Sequence, residues 1–361
     1  MKRCLVPMLL SLTVLSACGG AAVPASSTPA AASPAASKPA ASTSAAAGGA
    51  ASAKPAASSS TANAAGKLVT VQAAYPQISA VHTPMYVAKE QGFYAQNGLD
   101  VQLKIVQGPA ETASLISGEL QFGDFGGNEL TDADLGGANL VGIATLADVP
   151  VFSLYADKKY KTMNDLVGQS IGVTALGTTT SATAELFLKH FGLQDKVKIV
   201  GSGGTTEGIL AALTKGLVAA AIVNPASAEQ AKRQGFIELV NGVTLGVPLN
   251  YDVIAVSRDY LKAHPDQVNA FLKGYAQGWA YSGDSANKAG TMAAMQKYSK
   301  FPNDLAEISY QSMLPVWSGK KLPTVDPEGI ANVLTFSKNP KAKDAKPEQF
   351  IDNSLLEAVA R

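Results

Sequence analysis

Downstream of Lys67, short apolar runs, many of them β-branched, recur along the chain with helix-like segments between them. They are Leu68 to Ala74, Val101 to Val106, Val141 to Leu146, Val151 to Tyr155, Ile171 to Thr174, Val197 to Val200, Ala220 to Val223 and Val253 to Val256. This alternation is the βαβ rhythm of largely parallel sheets covered by helices. Helix starts carry chemical marks: Thr83-Pro84 offers an N-cap and an N1 proline, and Gly108-Pro109 does the same with Glu111 in the first turn. Gly92 and Gly192 are suitable stops. Val268 to Tyr281 and Ile330 to Phe336 read as helices of a C-terminal tail. No internal repeat interrupts the pattern.

The chain before Lys67 is of another kind. Lys2 and Arg3 precede an apolar stretch, Leu5 to Leu15, too short to span a bilayer comfortably, so residues 1–17 read as a signal peptide. The stretch ends in Leu15-Ser16-Ala17-Cys18, which resembles a bacterial lipobox. That resemblance implies cleavage before Cys18 and its acylation, giving an exported protein held on the membrane by lipid. Residues 18–66 continue almost entirely as Ala, Ser, Pro, Thr and Gly, with only Lys38 and Lys54 charged. Such a segment cannot build a core and predicts an extended, pliable tether.

Composition narrows the function of the rest. Lys and Arg (29) nearly balance Asp and Glu (28), and no dense basic block occurs, which excludes nucleic acid as an expected partner. The two cysteines are Cys4, in the leader, and Cys18. The folded part therefore has no disulfide, no thiol nucleophile and no cysteine metal ligand. Its length suits two α/β lobes of ordinary domain size, and a monomer is expected.

Three segments carry a family resemblance: Pro84-Met85-Tyr86-Val87-Ala88-Lys89-Glu90-Gln91-Gly92-Phe93-Tyr94 with Asn97-Gly98-Leu99-Asp100-Val101, then Asp165-Leu166-Val167-Gly168-Gln169-Ser170-Ile171-Gly172-Val173, then Ala211 to Ala220. Together they resemble the substrate-binding proteins of ABC importers that take nitrate, alkanesulfonates, taurine or thiamine-pyrimidine precursors. Gln169 departs from the lysine usual there, and Gln121 and Ala219 from a common aspartate. The resemblance implies an α/β, two-lobed type 2 periplasmic-binding fold with a two-segment hinge. Lobe 1 is expected over 67–156 and 247–361, and lobe 2 over 157–246, with crossings near Tyr155 to Lys161 and Gly246 to Tyr251. It also implies an integral permease and its ATPase as partners, and no cofactor.

In open α/β sheets, ligands sit beyond the carboxyl ends of strands. Lobe 1 offers there Tyr75, Ser79 and Thr83, then Gly127 and Asn128, and Asp148 further on; lobe 2 offers Gly177-Thr178-Thr179-Thr180-Ser181, Gly201 to Glu207, and Asn224. The run at Gly177 to Ser181 combines a turn-forming glycine, hydroxyls and the free amides of a helix start, which favours a polar or anionic group. One threonine there can simply cap the helix, as Asn128 can cap its own. Tyr75 can stack on a ligand or pack in the core. His82, His190 and His264 form no pair and receive no ligand role. The strand-end loops lack Lys and Arg, which counts against a strongly clamped sulfonate or nitrate and leaves open a neutral, zwitterionic or heteroaromatic ligand. No catalytic constellation, P-loop or metal-ligand spacing assembles, so no enzyme is expected. A thiamine-pyrimidine synthase-like enzyme would need a cysteine-rich motif absent here, and a non-transport surface lipoprotein would explain the anchor but not the three matching segments.

Overall fold

The computed structural model describes residues 67–202 and 204–359. The leader, Cys18 and the tether lie outside these residues, as does Gly203. The first stretch of chain runs β1 (Val69–Tyr75), α1 (Thr83–Glu90), α2 (Phe93–Gln96), β2 (Leu99–Ile105), α3 (Pro109–Ser117), β3 (Gly123–Phe125), α4 (Gly127–Leu135) and β4 (Leu140–Ala147). The middle stretch follows with β5 (Ser153–Ala156), β6 (Ser170–Val173), α5 (Thr179–His190), β7 (Lys198–Gly201), α6 (Thr206–Thr214), β8 (Ala220–Val223), α7 (Pro225–Arg233), β9 (Ile237–Asn241) and α8 (Gly242–Leu245). The last stretch is β10 (Asp252–Ser257), then α9 (Arg258–Ala263), α10 (Pro265–Gly283), α11 (Lys288–Ser299), α12 (Asn303–Gly319), α13 (Pro327–Phe336) and α14 (Ser354–Val359).

Two sheets result. In the first, β1 pairs parallel with β2, and β10 lies between β3 and β4, antiparallel to both. A parallel bridge between Ala73 and Phe122 joins the two halves. The second sheet has the order β7-β6-β8-β5-β9, with β6 parallel to its neighbours and β5 antiparallel to both of its own. The antiparallel strands have one cause. Strands of βα units run toward the cleft edge, whereas β5 and β10 each enter their sheet from the other lobe at that edge and run away from it.

The pairing of β5 with β8 and β9 corrects the expected first crossing. Tyr155 and its neighbours already belong to the second sheet, so the chain changes lobe over 148–152 rather than beyond Tyr155. It comes back over 246–251, between α8 and β10. β3 and β9 escaped the pattern because Gly123-Asp124-Phe125 holds one large apolar residue and Glu238 interrupts the run of β9. The expected cap at Thr83 is also corrected. His82 occupies that position, while Thr83 is buried inside the helix and donates to Ala80 O at 2.6 Å.

The tail closes the first lobe. Gly142 N donates to Phe350 O and Asp352 N to Gly142 O, both at 2.8 Å, which covers the β4 edge. Phe271 of α10 stacks on Phe122 with ring centroids 3.8 Å apart, and Tyr275 OH donates to Thr145 O at 2.7 Å. Gly278 lets α10 lie directly on α1, since a Cβ there would stand 2.3 Å from Pro84 O. No helix among the described residues is long and apolar enough to cross a membrane.

Candidate functional site

The strand ends of both sheets face one cleft of about 390 Å³. The first lobe lines it with Pro76–Ser79, Gln107, Gly108, Glu129, Tyr251 and Asp252, and the second with Thr174, Thr178–Thr180, Gly204–Glu207 and Asn224, while Phe152 comes from the first crossing. A larger groove of about 950 Å³ lies on the second lobe alone, around Leu210, Thr214 and Phe236. Unlike that groove, the smaller cleft is lined by both lobes, so position outweighs volume.

On the second lobe, three helix starts meet the cleft. Thr205 caps α6 by accepting from Gly208 N at 3.1 Å, and Asn224 caps α7 by accepting from Ser227 N at 2.8 Å. Asn224 also donates to Thr206 Oγ1 at 2.9 Å, tying the two starts together. α5 differs, because the Thr178 side chain at its cap accepts from no backbone amide of the first turn. Its hydroxyl instead joins a triangle with Thr174 and Thr180, with edges of 2.7 to 3.0 Å. Gly177, at φ 83°, makes the left-handed turn that sets this arrangement.

Asn128 reaches across the cleft. Its Nδ2 donates to Gly177 O at 2.9 Å, and Thr179 Oγ1 lies 3.5 Å from its Oδ1. Beside it Ala182 and Leu186 of α5 pack against Leu249 and Val333, so the lobes touch through both polar and apolar groups. Ser181 is buried beside this contact, with its hydroxyl 3.4 Å from Glu185 Oε1. Gly127 is buried too, its N–H donating to Asn250 O at 3.0 Å, and Cβ at that position would collide with the same oxygen.

The first lobe presents acids. Glu129 and Asp252 line the cleft, and behind them His82 Nε2 meets Asp124 Oδ2 at 2.6 Å in full burial. Asp124 N donates to Glu111 Oε1 at 2.8 Å, and Gly126 N to Glu129 Oε2 at 3.3 Å. Burial, reinforced by the charge of Asp124, pushes the Glu111 carboxyl up to about 9. Burial raises Asp252 well above the usual carboxylate range, with Asp124, Glu129 and Glu111 adding to it. For Asp124 the burial effect is partly offset by the hydrogen bond from His82. His82, Asp124 and Asp252 also offer three ligand atoms within 4.8 Å of one another. His82 Nε2 and Asp124 Oδ2 are engaged with each other, while His82 Nδ1 and Asp124 Oδ1 have no partner.

Of the residues expected at the site, the structure brings Ser79, Thr178, Thr179, Thr180 and Asn224 to the cleft. Asn128, Gly177 and Ser181 adjoin it at the contact between the lobes. Tyr75 does not line it: the ring is buried against His82 and Tyr86, with centroids 4.9 and 5.6 Å away, because the last position of β1 faces the core. Thr83 and Gly127 are buried beneath the wall, and Asp148 is paired with Lys320. Glu129, Asp252, Tyr251 and Phe152 were not foreseen. An acid opening the apolar run Val253 to Val256 was the available signal.

The fold and the cleft define a two-lobed protein of the periplasmic-binding fold. Crystal structures sharing it include the ligand-binding component of an ABC-type import system from Staphylococcus aureus with zinc bound, at TM-score 0.64 and 15% identity over 81% of this chain and 99% of that one. The periplasmic sulfonate-binding protein SsuA of Methylobacillus flagellatus KT matches at TM-score 0.64 and 17% identity, covering 81% and 94%. The nitrate-binding protein NrtA of Synechocystis PCC 6803 matches at 0.61 and 13%, covering 81% and 89%. No curated protein matches the sequence. Residues 79–289, more than half of the chain, match the family described as NMT1/THI5 like, and the protein belongs to that family.

The raised Glu111 carboxyl has a consequence for stability. A carboxyl whose folded pKa stands above its unfolded value contributes fully below the unfolded pKa, near 4.5, and its contribution is lost as pH rises toward about 9. Glu111→Gln keeps an oxygen acceptor for Asp124 N but cannot ionise. Thermal melts from pH 5 to 9 should therefore fall less steeply for Glu111→Gln than for wild type, and parallel curves would show that Glu111 does not titrate in this window.

Proposed function

We propose that the protein is the extracytoplasmic solute-binding component of an ABC importer and that it holds a small polar molecule in the cleft without transforming it. The observation that carries this reading is a polar, strand-end cleft shared by two lobes that are joined by two crossing segments, the geometry of a hinge. Family membership and the sulfonate- and nitrate-binding names of its structural neighbours support it. Ligand would bind the open form, and closure would add contacts such as Asn128 to Gly177, favouring the closed shape by whatever contacts it alone makes. A permease and its ATPase would receive that shape. Sulfonate, nitrate, taurine and pyrimidine-precursor ligands are the classes to compare first.

The test is a thermal-shift series with nitrate, taurine, alkanesulfonates, aromatic carboxylates, pyrimidine precursors and organic amines. A true ligand should raise the melting temperature in step with concentration, by about 2.7 kcal/mol of stabilisation at a hundredfold excess over Kd. It should be recovered unaltered afterwards. Chemical conversion of the bound compound would replace this reading with an enzymatic one.

We further propose that Cys18 carries the lipid that tethers the folded part to the membrane through residues 18–66. The support is the Leu15-Ser16-Ala17-Cys18 segment after a short apolar leader. Cys18→Ala should leave the protein out of the detergent phase on partitioning, whereas normal lipid labelling of that variant would refute the anchor.

A further inference from the structure

Building on the reading of the cleft as a ligand site, we propose that the ligand presents an organic cation, an ammonium or amidinium group, to Glu129, Asp252 and the rings of Phe152 and Tyr251.

The charge of the wall is one-sided. The exposed Glu129 and Glu207 and the half-buried Asp252 line the cleft, and the described lining residues include no lysine, arginine or histidine. A ligand that fills the cleft covers these carboxylates, and withdrawing them from water without a basic partner is costly unless the ligand itself brings a cation. The deficit continues behind the wall. Asp124 is 1% exposed, its Oδ1 finds no partner, and its carboxyl lies within 4.8 Å of that of Asp252. An anion at this wall would meet several carboxyls and no counter-charge.

Aromatic groups stand beside the acids. Phe152 and Tyr251 come from the two crossing segments and meet edge to face, with centroids 5.0 Å apart and planes at 65°. Tyr251 directly precedes Asp252, and both line the cleft. Aromatic faces next to carboxylates are the combination that selects desolvated organic cations. A small metal ion gains nothing from the rings. The first-turn amides of α5 on the opposite wall can be met by a neutral oxygen of the same ligand.

The experiment uses the full chain in detergent and three compounds of one shape: benzamidinium, benzyl alcohol and benzoate, with choline, ethanesulfonate and zinc chloride added. Calorimetry should show a cation binding to wild type, with at least tenfold weaker binding in Asp252→Asn and in Glu129→Gln. Both variants without ligand should melt at or above the wild-type temperature at pH 7.5, since an uncompensated acid has gone. Benzoate or ethanesulfonate binding that persists in the variants would overturn the assignment of charge while leaving the solute-binding reading intact. No binding by any compound, together with no ligand found in the wider thermal-shift series, would overturn both. Lowered melting temperatures in both variants would make the acids structural, and zinc binding lost in Asp252→Asn without any organic cation binding would make the site a metal site. Either result overturns the proposal.

Discussion

The chain passes from one sheet to the other and back, and nearly everything at the cleft depends on those two passages. Because β5 and β10 enter their sheets from the opposite lobe, each starts at the cleft edge. The residues just before and at those starts are thereby delivered to the cleft: Phe152 ahead of β5, Tyr251 and Asp252 at β10. The remaining strands run toward the same edge, so their following loops and helix starts converge there as well. One topological constraint thus gathers an acid wall, an aromatic pair and three helix starts from distant parts of the sequence.

Those gathered groups are not arranged for stability. Glu111, Asp124 and Asp252 share a poorly hydrated region whose basic neighbour is His82, and burial raises all three carboxyls. The cost is borne by the packed first lobe, where α10 lies against α1 at Gly278 and the aromatic stack from Phe122 to Phe271 anchors the helices to the sheet. Polar strain of this kind belongs where a ligand supplies the missing partner. On the second lobe the opposite choice prevails, since the threonine triangle and the caps of Thr205 and Asn224 satisfy one another. That wall is preorganised, and the acid wall awaits a counter-charge.

Much of the fold was legible in the apolar runs, because eight strands carry one and the glycine and proline marks bracket their helices. β3 and β9 were not, since a sheet can recruit short segments by pairing alone, without a hydrophobic run to advertise them. The position of the first crossing was misplaced for a related reason: Val151 to Tyr155 reads as a strand in either lobe, and only the partner strands decide which. At the site, hydroxyl and glycine clusters around Gly177 and Asn224 could be found from loop chemistry. Tyr75 and Thr83 could not be separated from ligand-facing residues, as a strand end and a helix start each present both a core side and a cleft side. Asp252 escaped notice because one acid at the head of an apolar strand becomes informative only when Asp124 and Glu129 are folded beside it.

The central claim is that the two lobes close on a ligand about their crossings, and the distance between them tests it most directly. Ile105 and Leu176 are exposed residues on the first and second lobes. Cys4 and Cys18 are the chain's own cysteines, one in the expected leader and the other expected to be blocked by lipid. Spin labels on Ile105→Cys and Leu176→Cys would therefore report a single pair. Electron-electron resonance should give a broad distance distribution without ligand and a narrower, shorter one at saturation. An unchanged distribution, with binding confirmed by calorimetry on the labelled protein, would contradict hinge closure.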